Sequence, residues 1–377
     1  MAKGQPIDSR LHLDHEPEIN KFFKAAIKFN ASDLHLKVGM APRMRVQGHL
    51  KSATGDVITE PMAEKLIFEI LSERQKKFFL ENGALDFAYQ VGEMDRFRVN
   101  IFRQRGLISL AARHISTNIP PFESLHLPAI VEKIADSNDG MVLVTGPTGC
   151  GKSTTIASMI DYINSTRSCH IVTIEDPLEF LHRDKKAIVS QREIGIDVPN
   201  YEDALRSLMR EDPDVVLVGE MRDGETLTAG MRAAETGHLV FGTLHAASAS
   251  QTIQRILDLY PQEERDLARQ TFALTIKAII SQNLLPGLKP EAKRIPAVEI
   301  LIANPIVKKL ISEKRESDLP TVIKACQNEG MMDYTESLRL LVMEEWVELK
   351  VALEYAPNVD ELKMALKGIK TSTSGIL

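Results

Sequence analysis

The nine residues GPTGCGKST, Gly146 through Thr154, have an order and spacing that imply chemistry directly. They spell G-x-x-x-x-G-K-[ST]. An apolar run over 141–145 comes before them, and apolar residues resume at helical spacing over 156–163. The combination reads as strand, phosphate loop, helix. Glycines at 146, 149 and 151 allow main-chain N–H groups to converge on a phosphate chain, and the helix that follows offers its positive dipole end to the same anion. Gly146, Pro147, Thr148, Gly149, Cys150, Gly151, Lys152, Ser153 and Thr154 are therefore the expected cradle of a nucleotide. Lys152 would reach its β and γ phosphates, and the Ser153 hydroxyl would ligate Mg²⁺. The plain alternative is a glycine-rich turn with an incidental Lys-Ser, which four fixed positions in a strand-to-helix setting disfavour.

Further candidates follow the other strands, because ligands of parallel sheets gather at the carboxyl ends. After 171–174 come Glu175, Asp176 and Glu179, three carboxylates within five residues. Beside a triphosphate such a group repels the ligand unless Mg²⁺ lies between or one acid handles a water proton. An acidic helix cap or a solvated turn explains Asp176 or Glu179 alone, but not the group. After 215–218 come Gly219 and Glu220. Asp214 precedes that strand, at the wrong end for phosphates, so Glu220 is the expected metal-side or water-orienting acid. Arg206, Arg210 and Arg222 flank it, with salt bridges to Glu211, Asp212 and Asp223 as their ordinary reading. After 240–243 comes His245, placed to donate to a γ-phosphate and report its loss. His238 stands at the opposite end of that strand.

The elements that must position these residues can be read from patterning. A chain of 377 residues exceeds what one core supports, so two domains are expected. The balance of 46 basic and 52 acidic residues, net -6, argues against a chain built around a nucleic-acid backbone. Three cysteines, at 150, 169 and 326, form no CxxC pair, which implies a reducing compartment and no structural zinc. No apolar run approaches the roughly 18 residues of a membrane span, so a cytoplasmic protein is expected, associated with a membrane only through a partner.

Residues 1–15 read as a loose lead-in. From Glu18 onward, Ile19, Phe22, Phe23, Ala26 and Ile27 recur on one helical face. Leu34, Leu36 and Val38 then alternate with polar residues as a strand, with Met44 and Val46 as its hairpin partner. Helices are expected over 61–71 and 72–82, the second opened by Ser72 and Gln75 as a capping box. Strands follow over 86–91, 96–102 and 107–115. These make a small α+β domain over 1–117, with a proline-stiffened linker over 118–126. Apolar strand candidates at 142–144, 171–174, 215–218, 240–243 and 298–301 alternate with helices over 127–355, which implies an α/β unit with a mostly parallel, covered sheet. Residues 356–377 read as a helical, then disordered, tail.

The stretches GPTGCGKST, IEDPLEF, REDPDVVLVGEMRD and ETGHLVFGTLHA, in this order, make the sequence resemble the secretion-superfamily ATPases of the GspE/PilT type. Within them it resembles the PilT/PilU-type retraction ATPases of type IV pili. SDLHLKVG, RFRVNIFRQRG and SQREIGID extend the resemblance over most of the chain. It implies a RecA-like P-loop NTPase domain behind a smaller amino-terminal PAS-like domain. It also implies ATP and Mg²⁺, a homohexameric ring at the cytoplasmic base of a pilus, an inner-membrane platform protein as partner and, in some systems, a paralogous retraction ATPase. By position, the resemblance makes Glu175 the general base and Glu220 the acid of the second strand. The histidine box falls at His238 to His245. Arg98, Arg103 and Arg113 match arginines that contact nucleotide phosphates, their ordinary reading being the exposed face of alternating strands.

Lack of paired cysteines favours retraction over the extension and type II secretion ATPases, many of which carry a tetracysteine zinc element. The stretch PIVKKLISE, residues 305–313, departs from the AIRNLI motif of PilT motors, with Lys308 in place of an Arg. An accessory PilU-like motor or a specialised relative stays open on that ground, with an assembly ATPase of a type IV pilus or type II secretion system as a further alternative. A RecA-like nucleic-acid motor is disfavoured by the acidic balance and by the lack of a basic stripe with interleaved aromatics. A nucleotide-gated structural partner is disfavoured by the joint presence of Lys152, Glu175 and Glu220.

Overall fold

The computed structural model describes residues 15–53, 55–92 and 95–369, and within these the chain forms two compact units. The first comprises the chain up to Asn118 together with Pro177–Leu181 and Glu193–Asn200. The second comprises Ile119–Asp176, His182–Arg192 and the chain from Tyr201 onward. Residues 1–14 of the 1–15 lead-in and the TSTSGIL end fall outside the described residues.

The first unit is a small α+β fold. Its sheet takes in β1 (Asp33–Lys37), β2 (Arg43–Val46), β3 (His49–Ser52), β4 (Ala84–Val91), β5 (Asp95–Gln104) and β6 (Leu107–Ile115), in the order β3-β2-β1-β6-β5-β4. Alternation assigns the two faces. Phe97, Val99 and Ile101 of β5 are fully buried, while Arg98 and Asn100 face away. The helices Asn20–Lys28, Glu60–Phe68 and Glu73–Asn82 supply Phe23, Ile67 and Phe79 to the same core. Phe23 packs its ring 4.7 Å from that of Phe97, and burial of each such side chain contributes about 1.5–3 kcal/mol. Ser72 and Gln75 form the expected capping box, and Gly83 closes that helix with φ 76°.

The second unit carries a seven-stranded sheet. It is built from β7 (Gly140–Thr145), β8 (His170–Glu175), β9 (Ile188–Glu193), β10 (Val215–Val218), β11 (Leu239–Leu244), β12 (Ile276–Pro286) and β13 (Arg294–Ile302). The order is β13-β12-β7-β11-β10-β8-β9, with β12, β7, β11, β10 and β8 mutually parallel and β13 antiparallel to β12. Every residue of β10 and β11 is buried, as strands covered on both faces must be.

Two of these strands have no counterpart in the sequence reading. β12 lies in a mixed stretch, IKAIISQNLLP, where Lys277 and Ser281–Asn283 interrupt the apolar residues and periodicity does not separate strand from buried helix. β9 is a polar edge strand, IVSQRE, only partly buried. The segment read as a linker is pinned to the second unit from Ile119 onward. There Pro120 O accepts a bond from Ser158 Oγ at 2.6 Å, and the Phe122 and Tyr162 rings lie 5.6 Å apart.

Beyond β13, helices Tyr334–Met343, Leu349–Tyr355 and Val359–Leu366 join Leu285, Ile295 and Ala297 in a second core cluster. Leu362 is completely buried within it, so the last helix packs rather than trails. Leu362→Ala should cost about 2–5 kcal/mol locally and speed amide hydrogen exchange over 349–366; unaltered exchange there would contradict this packing.

Candidate nucleotide site at the carboxyl edge of the second sheet

The phosphate loop leaves β7 through a close contact. Gly146 has φ 144°, and a Cβ there would lie 2.3 Å from Gln282 O and 2.6 Å from Cys150 Sγ, so only glycine fits. Gly149 and Gly151, at φ 80° and 94°, carry the chain into the helix Lys152–Thr166. Pro147, Thr148 and Gly149 form an exposed rim. Lys152 is buried, and its ammonium donates to Gly146 O at 2.9 Å and to Pro147 O at 3.1 Å. Ser153 is exposed on the first helical turn, beside the partly exposed Thr154. Burial pushes the Cys150 thiol above its usual pKa, which keeps it protonated.

The strand order places the remaining groups. Moving from β7 through β11 and β10 to β8 at about 4.8 Å per strand puts the β10 end about 10 Å, and the β8 end about 14 Å, from the start of the loop. Glu220, just past β10, has Oε2 2.6 Å from Arg222 Nη2 and Oε1 3.3 Å from His245 Nε2. The Arg222 hydrogen bond holds the Glu220 carboxyl below its ordinary pKa, against desolvation, with further help from the charges of Arg222, His245 and Lys152. Lys152, Glu220 and His245 thus share one neighbourhood.

Glu175 ends β8 nearly buried, its Oε1 accepting from Thr173 Oγ1 at 2.8 Å and from Gln191 Nε2 at 3.3 Å. Gly219 allows β10 to pass Glu175 closely, since a Cβ there would sit 3.2 Å from Glu175 Cα. The Tyr201 hydroxyl reaches the Glu220 main chain among Glu175, Asp176 and Arg222, and burial raises its pKa far above the usual phenol range.

Other expected residues lie elsewhere. The three-carboxylate group after β8 is divided, with Glu175 buried, Asp176 exposed and Glu179 in the first unit. Asp214, at the amino end of β10, accepts from His170 N at 2.8 Å, and Asp223 caps the helix Gly224–Glu235. His238 closes the preceding helix through Ala233 O at 2.9 Å, at the amino end of β11. Arg206 pairs with Glu202, and Glu211 pairs with Arg192 rather than with the flanking arginines.

In the first unit, Arg98 and Arg113 are directly opposed on β5 and β6. Their like charges are offset by Asp86 at 4.0 Å and Asp33 at 3.1 Å respectively. Arg103 has the opposite parity. It lies over the Phe79 ring at 5.5 Å on the helix-covered face, apart from the other two.

The type II/IV secretion system protein model matches residues 122–370, about two thirds of the chain. The chain belongs to the type II/IV secretion system protein family. Within that family it is 40% identical to the type IV pilus retraction ATPase PilT of Pseudomonas aeruginosa, over 90% of this chain and 98% of that one. It is 34% identical to the type IV pilus ATPase PilU of the same organism, over 93% and 91%. A crystal structure of the pilus retraction motor PilT with bound ADP superposes with TM-score 0.82 at 43% identity, covering 93% of this chain and 99% of that one. The fold is accordingly the RecA-like α/β fold of this family behind a small α+β domain. Among the described residues no helix is long and apolar enough to cross a membrane.

Sequence reasoning passed over the family member's Gln282, Thr155, Gln191 and Tyr201; Gln191 sits unmarked inside SQREIGID, and all four acquire meaning only through strand order.

Glu220 yields a test in this family member. Its carboxyl pKa is lowered, so the stability supplied by its Arg222 pair is complete above the ordinary carboxylate range and lost as pH falls through the lowered value. Arg222→Gln should move the Glu220 midpoint up toward the ordinary value, as read by carbon-detected NMR titration; an unmoved midpoint would show that Arg222 is not the main cause.

Proposed function

We propose that this chain is a Mg²⁺-dependent ATPase motor that powers withdrawal of a type IV pilus. The observation that carries the reading is the gathering of Lys152, Glu220 and His245 at the carboxyl edge of the sheet, beside the GPTGCGKST loop. The likeness to PilT over nearly the whole of both chains supports it.

The residues suit the chemistry. The Lys152 ammonium rests on two loop carbonyls and can exchange them for β and γ phosphate oxygens. An Mg²⁺ ion carried in with the phosphates needs only a few protein groups to complete its shell. The Ser153 hydroxyl and the ionised Glu220 carboxylate are those groups. When bound, Mg²⁺ neutralises charge on the β and γ oxygens.

Glu175, fixed by Thr173 and Gln191, is the acceptor for the proton of the attacking water. Glu220, held ionised by Arg222, also orients His245, which senses the γ-phosphate. The roles that the resemblance gives Arg98 and Arg113 toward nucleotide phosphates belong to the same proposal.

Work comes from a difference in nucleotide affinity between two arrangements of the subunit. In a ring of six identical subunits that difference would pass to an inner-membrane platform protein at the cytoplasmic face. A second reading, an accessory motor beside a paralogue, is favoured by the stretch 305–313, where Lys308 replaces the arginine and donates to Leu274 O at 2.9 Å.

Lys152→Ala should cut ATP turnover at least about hundredfold, and Glu175→Gln should do the same while leaving nucleotide binding intact. Turnover retained in Lys152→Ala would overturn the assignment. In cells lacking the gene, individual pili should extend without withdrawing; absent pili would indicate assembly instead, and pili that still withdraw weakly would favour the accessory motor.

A further inference from the structure

Three of the six loop residues from Gly146 to Gly151 are glycines, so little in the loop itself holds it to one shape. A side chain from another strand does. Gln282 of β12 is 1% exposed, and its Nε2 donates to Cys150 O at 2.6 Å while its Oε1 accepts from Thr155 Oγ1 at 3.0 Å. A carbonyl can only accept, so the amide can face Cys150 in one orientation alone. Its backbone carbonyl lies beneath Gly146, and its Nε2 would sit 3.0 Å from a Cβ at Gly151. The start of the loop, its last peptide and the first turns of the following helix all rest on this one residue.

The peptide between Cys150 and Gly151 is planar, and in a trans peptide the C=O and the N–H point opposite ways. Drawing Cys150 O inward to β12 therefore turns the Gly151 N–H outward, to the side where a phosphate must lie. Ser281, the preceding residue, faces the other side of the sheet. There its hydroxyl lies 2.8 Å from Thr145 Oγ1, which Thr252, on the helix after His245, approaches at 3.4 Å. β12 thus holds the loop from beneath and, on the opposite face, binds Thr145 of β7, which Thr252 also approaches.

We propose that Gln282 is a positioning residue for nucleotide phosphates, acting through the Cys150–Gly151 peptide and Thr155. The inference rests on the reading of the second unit as an ATP site. Gln282 touches no phosphate itself, and its effect falls on affinity more than on the chemical step, because the loop amides hold phosphates in ground and transition states alike.

The test uses the full chain and a fluorescent N-methylanthraniloyl ADP with Mg²⁺, alongside steady-state ATP turnover and thermal melting. Gln282→Met keeps the length and removes both bonds; Gln282→Glu keeps the acceptor for Thr155 but sets an oxygen against Cys150 O; Thr155→Val removes only the second bond. Gln282→Met and Gln282→Glu should weaken binding roughly tenfold and raise KM in parallel, with kcat within about threefold of the wild type. Thr155→Val should do less, and adding it to Gln282→Met should cost nothing further.

Wild-type affinity in Gln282→Glu, or losses that merely follow falling melting temperature across the set, would overturn the proposal. If Gln282→Met does not fold, Gln282→Glu and Thr155→Val decide it. Failure of the wild-type chain to bind the probe would instead overturn the ATP reading, and this inference with it.

Discussion

The constraint on which the rest depends is the approach of the main chain at Gly146 to the carbonyl of Gln282. At 2.3 Å, the space for a Cβ does not exist, so β7 and β12 can lie side by side and still turn a loop over the end of the sheet only if this position is glycine. The same crossing buries Lys152 and exposes Ser153. It also sets the start of a fifteen-residue helix whose N–H groups open toward the strand tips. A dipole of this kind is worth something only to an anion placed within its first turn, and the loop decides where that is.

From that point the parallel sheet does the arranging. Each carboxyl end contributes one group: the loop from β7, His245 from β11, Glu220 from β10 and Glu175 from β8. Hydrogen bonds stitch the ends together, with Gly219 N donating to Ile174 O at 2.8 Å and Met221 N to Thr243 O at 3.1 Å. Electrostatics follow from the same layout. Glu220 stays ionised beside Arg222 and His245, whereas Glu175 is withdrawn from solvent and fixed by neutral donors, so two acids at one edge occupy different environments.

What could be read in advance was what is local. The loop sequence, the Ser72–Gln75 capping box and the alternation of Phe97, Val99 and Ile101 each depend on spacing within one element, and each appears as expected. The acids past β8 and β10 were legible because strand ends are where such sheets bind ligands. The parts that escaped depend on pairing across long separations. β12, its apolar residues broken by Lys277 and by Ser281–Asn283, reads as strand or helix until it is set against β7, and Gln282 and Thr155 meet across 127 residues. Arg103 was grouped with Arg98 and Arg113 by resemblance, although its strand parity puts it on the opposite face. Glu179 looked like a neighbour of Glu175, but the chain has changed units by then.

That change of units has a consequence for how the molecule can be taken apart. The chain leaves the second unit after Asp176, returns at His182, leaves again after Arg192 and returns at Tyr201. The chain therefore crosses between the two folds more than once, and a single protease cut near Asn118 leaves Pro177–Leu181 and Glu193–Asn200 of the smaller fold on the larger fragment. A fragment ending at Asn118 would lack two of the segments that complete the smaller fold, so neither half is a separable module in the genetic sense.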